Sequence, residues 1–239
     1  DIIRDIAADN IGALIWSKSM EMNDMEKPDF LKNAMRNLSI PVITMEKYGF
    51  DCPGVDILFD YEKGGYMATR HLIECGHRRI GCVAGKQSFH VTMQRLNGYK
   101  KALEESGISY DPDLVYFGDY TMESGYEAFS YILGQKVTAI FSMNDEMAFG
   151  IYRAARLYGV SIPEDISIIG FDNVPFADVM QVPLTTIGVP VIEMGKKLGE
   201  KVVDLIDNKE KLKEREEILY TPRLLVRGST KSIPPVTVI

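Results

Sequence analysis

The chain of 239 residues is long enough for one large domain or two smaller lobes. With 46% hydrophobic and 26% charged residues, it has the balance of a globular protein rather than a disordered one. A formal net charge of −7 makes this stretch a poor binder of polyanions, so any contact with nucleic acid must come from another segment.

The opening DIIRDIAAD has the character of the last turns of a helix with no strand before it, so a first lobe is expected to be incomplete at its N-terminus. Residues 10–16 (NIGALIW) and 41–45 (PVITM) read as strands, with a helix over 28–38 between them. A strand over 57–59 follows. Residues 79–84 (RIGCVA) predict a further strand, and 93–106 a helix closed by Gly107. Strand 114–117, helix 123–133, strand 138–143, helix 145–158 (stopped by Gly159) and strand 166–171 complete the central run. Continuous apolar strands alternating with helices indicate a parallel sheet covered on both faces. Near the other end, 192–207 has helical apolar spacing, 208–217 reads as a solvated helix end and loop, and 218–226 as an edge strand broken by Pro222.

Cys52, Cys75 and Cys82 form no CxxC pair and make an odd count, so a disulfide framework is not expected and a reducing cytoplasm is. No apolar run approaches the ~20 residues of a membrane helix. The acidic opening lacks the basic start and apolar core of a signal peptide.

Ligands of doubly wound folds sit beyond the carboxyl ends of the parallel strands. Here those ends carry Ser17-Lys18-Ser19, Glu46-Lys47, Asp60-Tyr61, Asp119-Tyr120, Asn144-Asp145 and Asp172-Asn173. Helix capping is the plain alternative, and Asp145 and Asp60 read equally well as caps. Capping explains one residue per helix, however, and not Asn144 and Asp145 together, nor Tyr120. Carboxylate, amide, guanidinium and aromatic ring together suit a neutral polyhydroxylated ligand such as a sugar or nucleoside.

Catalytic motifs are absent. In GCVAGKQS (81–88) the glycine spacing is one residue short of a P-loop, and Gln87 stands where Ser or Thr should bind magnesium. No dinucleotide fingerprint and no nucleophile elbow occur. His71, His77 and His90 lack metal-ligand spacing, and His77 in CGHRRI is expected to be structural. Glu46, Asp119 and Asp172 remain as carboxylates that the fold can bring together. No enzyme, cofactor, metal or catalytic residue is expected.

Five stretches carry a resemblance. They are FDYEKGGYMATRHLIECGHRRIGCVAG (59–85), QRLNGYKKAL (94–103), TAIFSMNDEMAFGIYRAARLYGVSIPEDISIIGFDN (138–173), PLTTIGVPVIEMGKKL (183–198) and LLVRGST (224–230). In this order they resemble the lactose/galactose-repressor (LacI/GalR) family across almost the whole chain. The resemblance implies the α/β fold of a periplasmic-binding-protein-like effector domain. Two doubly wound parallel-sheet lobes, 1–59 with 187–217 and 60–186 with 218–239, are joined by three crossover strands, with a ligand cleft between them. It implies a cytoplasmic, homodimeric transcription regulator that binds operator DNA through an N-terminal helix-turn-helix and responds to a small effector, a sugar or related metabolite. The ligand residues it implies are Ser17, Glu46 (where the family usually has Asp), Arg95, Tyr120, Asn144 and Asp172, with Asn144 facing the ligand and Asp145 capping the helix. Gly188-Val189 stand before Pro190 where the family usually has Gln. A sugar-binding protein of a transport system with the same fold is the alternative, as is a sugar-phosphate enzyme.

Overall fold

The computed structural model describes residues 11–17, 33, 35, 38, 40–47, 53–208 and 215–234. The chain divides into two compact units, 1–60 with 190–221 and 61–189 with 222–239, and passes between them three times. No described helix is long and apolar enough to cross a membrane.

In the first unit, strands β1 (Leu14–Trp16), β2 (Val42–Thr44), β3 (Gly54–Phe59) and β9 (Arg215–Tyr220) form a parallel sheet in the order β1-β2-β3-β9. Of the helix expected over 28–38, Asn33 and Met35 are helical and most of the rest lies outside the described residues. Helix α5 (Val191–Asp207) packs on β3 and buries Met194 and Leu205. Inside the sheet, Arg215 grips Asp56 with two hydrogen bonds, Nε to Oδ2 at 2.8 Å and Nη2 to Oδ1 at 2.6 Å. Thr44 adds its hydroxyl to Asp56 Oδ1, so one carboxylate ties β2, β3 and β9 together. The pairing of charge and geometry is what lets an Asp that is 2% exposed sit in this core.

That pairing corrects two expectations. Residues 215–217 are strand rather than solvated loop, and 218–220 belong to the first unit because β9 runs beside β3 from Gly54 to Phe59. The single strand expected over 218–226 is therefore two, β9 and β10 (Arg223–Leu225), and Pro222 falls in the break. Both lie at sheet edges, where a missing N–H is tolerated.

The second unit holds α1 (Tyr61–Glu74), β4 (Ile80–Ala84), α2 (His90–Glu105), β5 (Val115–Phe117), α3 (Met122–Gly134), β6 (Ala139–Ser142), α4 (Asp145–Leu157), β7 (Ser167–Asp172) and β8 (Thr185–Gly188). Its sheet has the order β10-β8-β7-β6-β4-β5, parallel except for β10. Every residue of β4 and β6 is buried, as continuous apolar strands covered on both faces require. The order reverses between β4 and β6, which makes the carboxyl ends of those strands a topological switch point.

Two helix pairs frame that point. A Cβ added at Gly65 of α1 would lie 2.1 Å from the Arg95 carbonyl oxygen, and one at Gly98 of α2 would lie 2.0 Å from that of Glu62. The two helices thus cross backbone to backbone, and only glycine permits it at both contacts. Gly125 of α3 and Gly150 of α4 meet Met147 and Met122 in the same reciprocal way. His77 is buried, with Nδ1 2.9 Å from the Thr138 hydroxyl and Nε2 3.0 Å from that of Ser167, the structural role expected of it.

Candidate functional site

The carboxyl ends of β4, β5, β6 and β7 bring four of the expected residues into one connected group. Arg95 leaves α2 and is 6% exposed. Its Nη1 donates to the Met143 carbonyl oxygen and its Nη2 to Asp172 Oδ1 at 3.3 Å. The guanidinium carbon lies 3.9 Å from the Phe171 ring centre, 5.0 Å from Tyr61 and 5.8 Å from Tyr120, so three aromatic faces surround the cation. Arg95 Nε is buried and has no hydrogen-bond partner. A buried guanidinium N–H without a hydrogen-bond partner is uncommon in a folded core, where such donors are normally paired.

Asp172 ends β7, and its side chain is 34% exposed. Its φ of 105° and the 59° of Asn173 put both residues in the left-handed region, which side chains other than glycine seldom occupy. Burial pushes its carboxyl above the usual range, and Arg95 opposes that shift.

Tyr120, with φ of 74°, lies over Gly85, where a Cβ would come within 2.0 Å of the ring. Its hydroxyl is 2.7 Å from that of Thr92, and its ring stacks on Phe89 at 6.3 Å between centres and 23° between planes. One rigid aromatic plate is the result.

At the β6–α4 junction the cap falls on Asn144 and not on Asp145. Asn144 is the N-cap: its Oδ1 accepts from the Met147 N–H at 2.9 Å, and its Nδ2 donates to the Tyr120 carbonyl oxygen at 2.9 Å. Asp145 does not cap. It is fully buried, with Oδ1 accepting from the Thr186 hydroxyl at 2.6 Å and Oδ2 from the Val174 N–H at 2.9 Å. Burial pushes its carboxyl up to about 6.

Ser17 and Glu46 belong to the first unit. They follow β1 and β2, whose last residues, Trp16 and Thr44, are partners in register. Ser17 is exposed; the Glu46 carbonyl oxygen lies 2.7 Å from the Thr44 hydroxyl oxygen. Asp119 accepts from the N–H and hydroxyl of Thr121 at 3.0 and 2.6 Å, bonds that hold its carboxyl below the usual range and bind it to its own turn. Tyr61 stands among the strand ends named from sequence, whereas Phe89 and Phe171 carry no sequence signal of a role here. Phe171 ends an apolar strand, and nothing in ISIIGF distinguishes it from core. Among the described residues, no group of three or more His, Cys, Asp or Glu is placed to hold a metal ion.

A two-unit α/β chain with a charged and aromatic group at a switch point has the makings of a small-molecule binding domain, and comparison with known proteins specifies its kind. The family described as periplasmic binding protein-like domain matches residues 69–230. The HTH-type transcriptional repressor PurR of Photobacterium profundum is 34% identical over 98% of the chain and 68% of its own length. Against relatives of this type the chain spans between 52% and 68% of their length. Among solved structures, a complex of the transcriptional regulator CelR with cellobiose is 30% identical with a TM-score of 0.81, covering 95% of this chain and 68% of that one. A LacI family transcriptional regulator from Enterococcus faecalis V583 with bound ribose is 28% identical with a TM-score of 0.80, covering 98% and 82%. The chain belongs to the LacI family of transcriptional regulators, with the periplasmic-binding-protein-like fold. These relatives are regulators, not enzymes, and they favour the regulator reading over the transport one.

Proposed function

We propose that this chain is the effector-binding part of a cytoplasmic, homodimeric repressor, and that its effector is a sugar or a related polyhydroxylated metabolite. The observation that carries the reading is Arg95, a buried guanidinium with one N–H left open, ringed by aromatic faces and balanced by Asp172. Such a group offers directional donors to ligand hydroxyls, with Asp172 as acceptor and the Tyr120 plate as an apolar face. In this reading Asn144 contributes by setting the Tyr120 backbone, and the family resemblance adds Ser17 and Glu46 from the first unit. The complexes of related regulators with cellobiose and ribose support a sugar as the ligand class.

Operator DNA is bound through a helix-turn-helix segment outside this chain, in keeping with the net charge of −7 here. The effector prefers one of two arrangements of the regulator and so shifts operator affinity by its differential binding. The test is fluorescence anisotropy of full-length protein on operator fragments selected in vitro, with and without a sugar panel. Sugar-dependent change in DNA affinity supports the reading. Turnover of any sugar, or DNA binding indifferent to all of them, contradicts it.

A further inference from the structure

Among the described residues at this end of the sheet, Asp145 carries a buried carboxylate that the proposed ligand contacts do not use. It joins three elements. From the first turn of α4 it accepts the Thr186 hydroxyl on β8 and the Val174 N–H beyond β7. It also lies against β7 itself, since a Cβ at Gly170 would come within 2.2 Å of Asp145 Oδ1. Gly170 and Thr186 are partners in the β7–β8 register.

The two anchor points bracket a strained pair. Gly170 and Thr186 hold the chain before Asp172, and Val174 holds it after Asn173; between them stand the two residues with φ of 105° and 59°. Left-handed backbone at a residue that bears a side chain is strained and persists only where surroundings over-determine it. Val189 N–H on the Asp172 carbonyl oxygen and Arg227 on Asn173 Oδ1 hold the outer side of the same turn. The turn fixes where Asp172 points, and Asp172 fixes one arm of the Arg95 guanidinium.

We infer that Asp145 is a positioning residue of the effector site: it touches no effector, but by clamping the Asp172–Asn173 turn it aims Asp172 and, through it, Arg95. The inference rests on the effector-site reading above and extends it to a residue behind the ligand contacts.

Rescue by an isosteric amide separates aiming from charge. In Asp145→Asn the side-chain oxygen still accepts from Val174, and the new NH2 donates to the Thr186 oxygen, because a hydroxyl accepts as readily as it donates. Asp145→Ala leaves Val174 and Thr186 without their acceptor. Thr186→Val removes one anchor only and serves as the milder variant if Asp145→Ala does not fold.

The experiment uses full-length protein and two readouts. The first needs no ligand: amide hydrogen exchange at Val174 and the Arg95 Nε–H resonance, with the amides of β4 and β6 as reference. Asp145→Ala should speed exchange at Val174 by about tenfold or more and move the Arg95 resonance while β4 and β6 stay protected. Thr186→Val should do so to a lesser degree, and Asp145→Asn should stay near wild type. The second is calorimetric affinity for cellobiose and ribose, expected to fall about tenfold or more in Asp145→Ala and to be largely restored in Asp145→Asn. An unmoved Val174 and Arg95 in Asp145→Ala and Thr186→Val overturns the inference. So does a loss as large in Asp145→Asn as in Asp145→Ala. If Arg95→Ala binds a sugar as tightly as wild type, the effector-site reading itself falls, and the inference with it.

Discussion

The side-chain amide of Asn144 donates to the carbonyl oxygen of Tyr120 at 2.9 Å while its oxygen caps α4 through Met147. One planar group thus fixes both the start of a helix and the backbone of an aromatic held at φ of 74°. Asn144→Ser keeps an oxygen for the cap and loses the donor; Asn144→Ala loses both. Chemical denaturation should show a loss of ~1–2 kcal/mol for Asn144→Ala and a smaller one for Asn144→Ser. Both variants should bind the effector more weakly, since neither holds Tyr120.

Gly65 and Gly98 set the distance between α1 and α2, and with it the height of Arg95 above the sheet. Gly65→Ala forces a methyl against the Arg95 carbonyl oxygen, where it would lie at 2.1 Å, so the helices must separate. A destabilisation of ~1–3 kcal/mol is expected in a urea melt, together with weakened effector binding. Gly134→Ala, where a Cβ meets nothing within 4 Å, should leave both unchanged or stabilise the fold slightly.

In the first unit, Asp56 and Arg215 are nearly buried, with side chains 3% and 14% exposed. Removing one partner leaves an uncompensated charge, so Asp56→Ala should cost ~3–5 kcal/mol. The double replacement Asp56→Leu with Arg215→Met should cost much less than the sum of the single changes. A double-mutant cycle by denaturation measures the difference, and additivity would show that the pair is not coupled.

The pH dependence of stability has a definite sign. Asp145 binds its proton more tightly folded, at about 6, than at its ordinary value of 3.8, so the folded state holds more protons between those limits. Its burial therefore destabilises the fold above about pH 6, and that penalty is relieved as pH falls through 6 towards 4. Asp172, also raised, acts in the same direction. Asp145→Asn removes the Asp145 part. Unfolding free energies measured from pH 4 to 7 should fall less steeply with rising pH in Asp145→Asn, by as much as ~3 kcal/mol over the range.

Much of this arrangement is legible in sequence, for physical reasons that also explain the misses. The strands and helices from 79 to 173 announce themselves because strands buried on both faces must be continuously apolar, and the breaks between them carry the polar residues. Arg95 is picked out only by the family resemblance of QRLNGY, whereas Asp172 is visible as a carboxylate following the strand ISIIGF. Asn144 and Asp145 could not be assigned by spacing, since either is a good cap. The choice is made by Thr186 and Val174, some 41 and 29 residues away in the chain. Residues 215–217 (REE) read as solvated because all three are charged and continue a charged stretch. Their pairing with β3 and the burial of Arg215 on Asp56 are long-range facts. The aromatic surround of Arg95 is hidden for the same reason, as Tyr61 and Phe171 look like any helix start and strand end.

The most direct test of the central claim is calorimetric titration of a sugar panel, cellobiose and ribose included, into full-length wild-type protein and Asp172→Ala. At least one sugar should bind saturably and without turnover, and its binding should be lost or weakened about tenfold or more in the variant. A sugar that binds equally well to both proteins would contradict that claim.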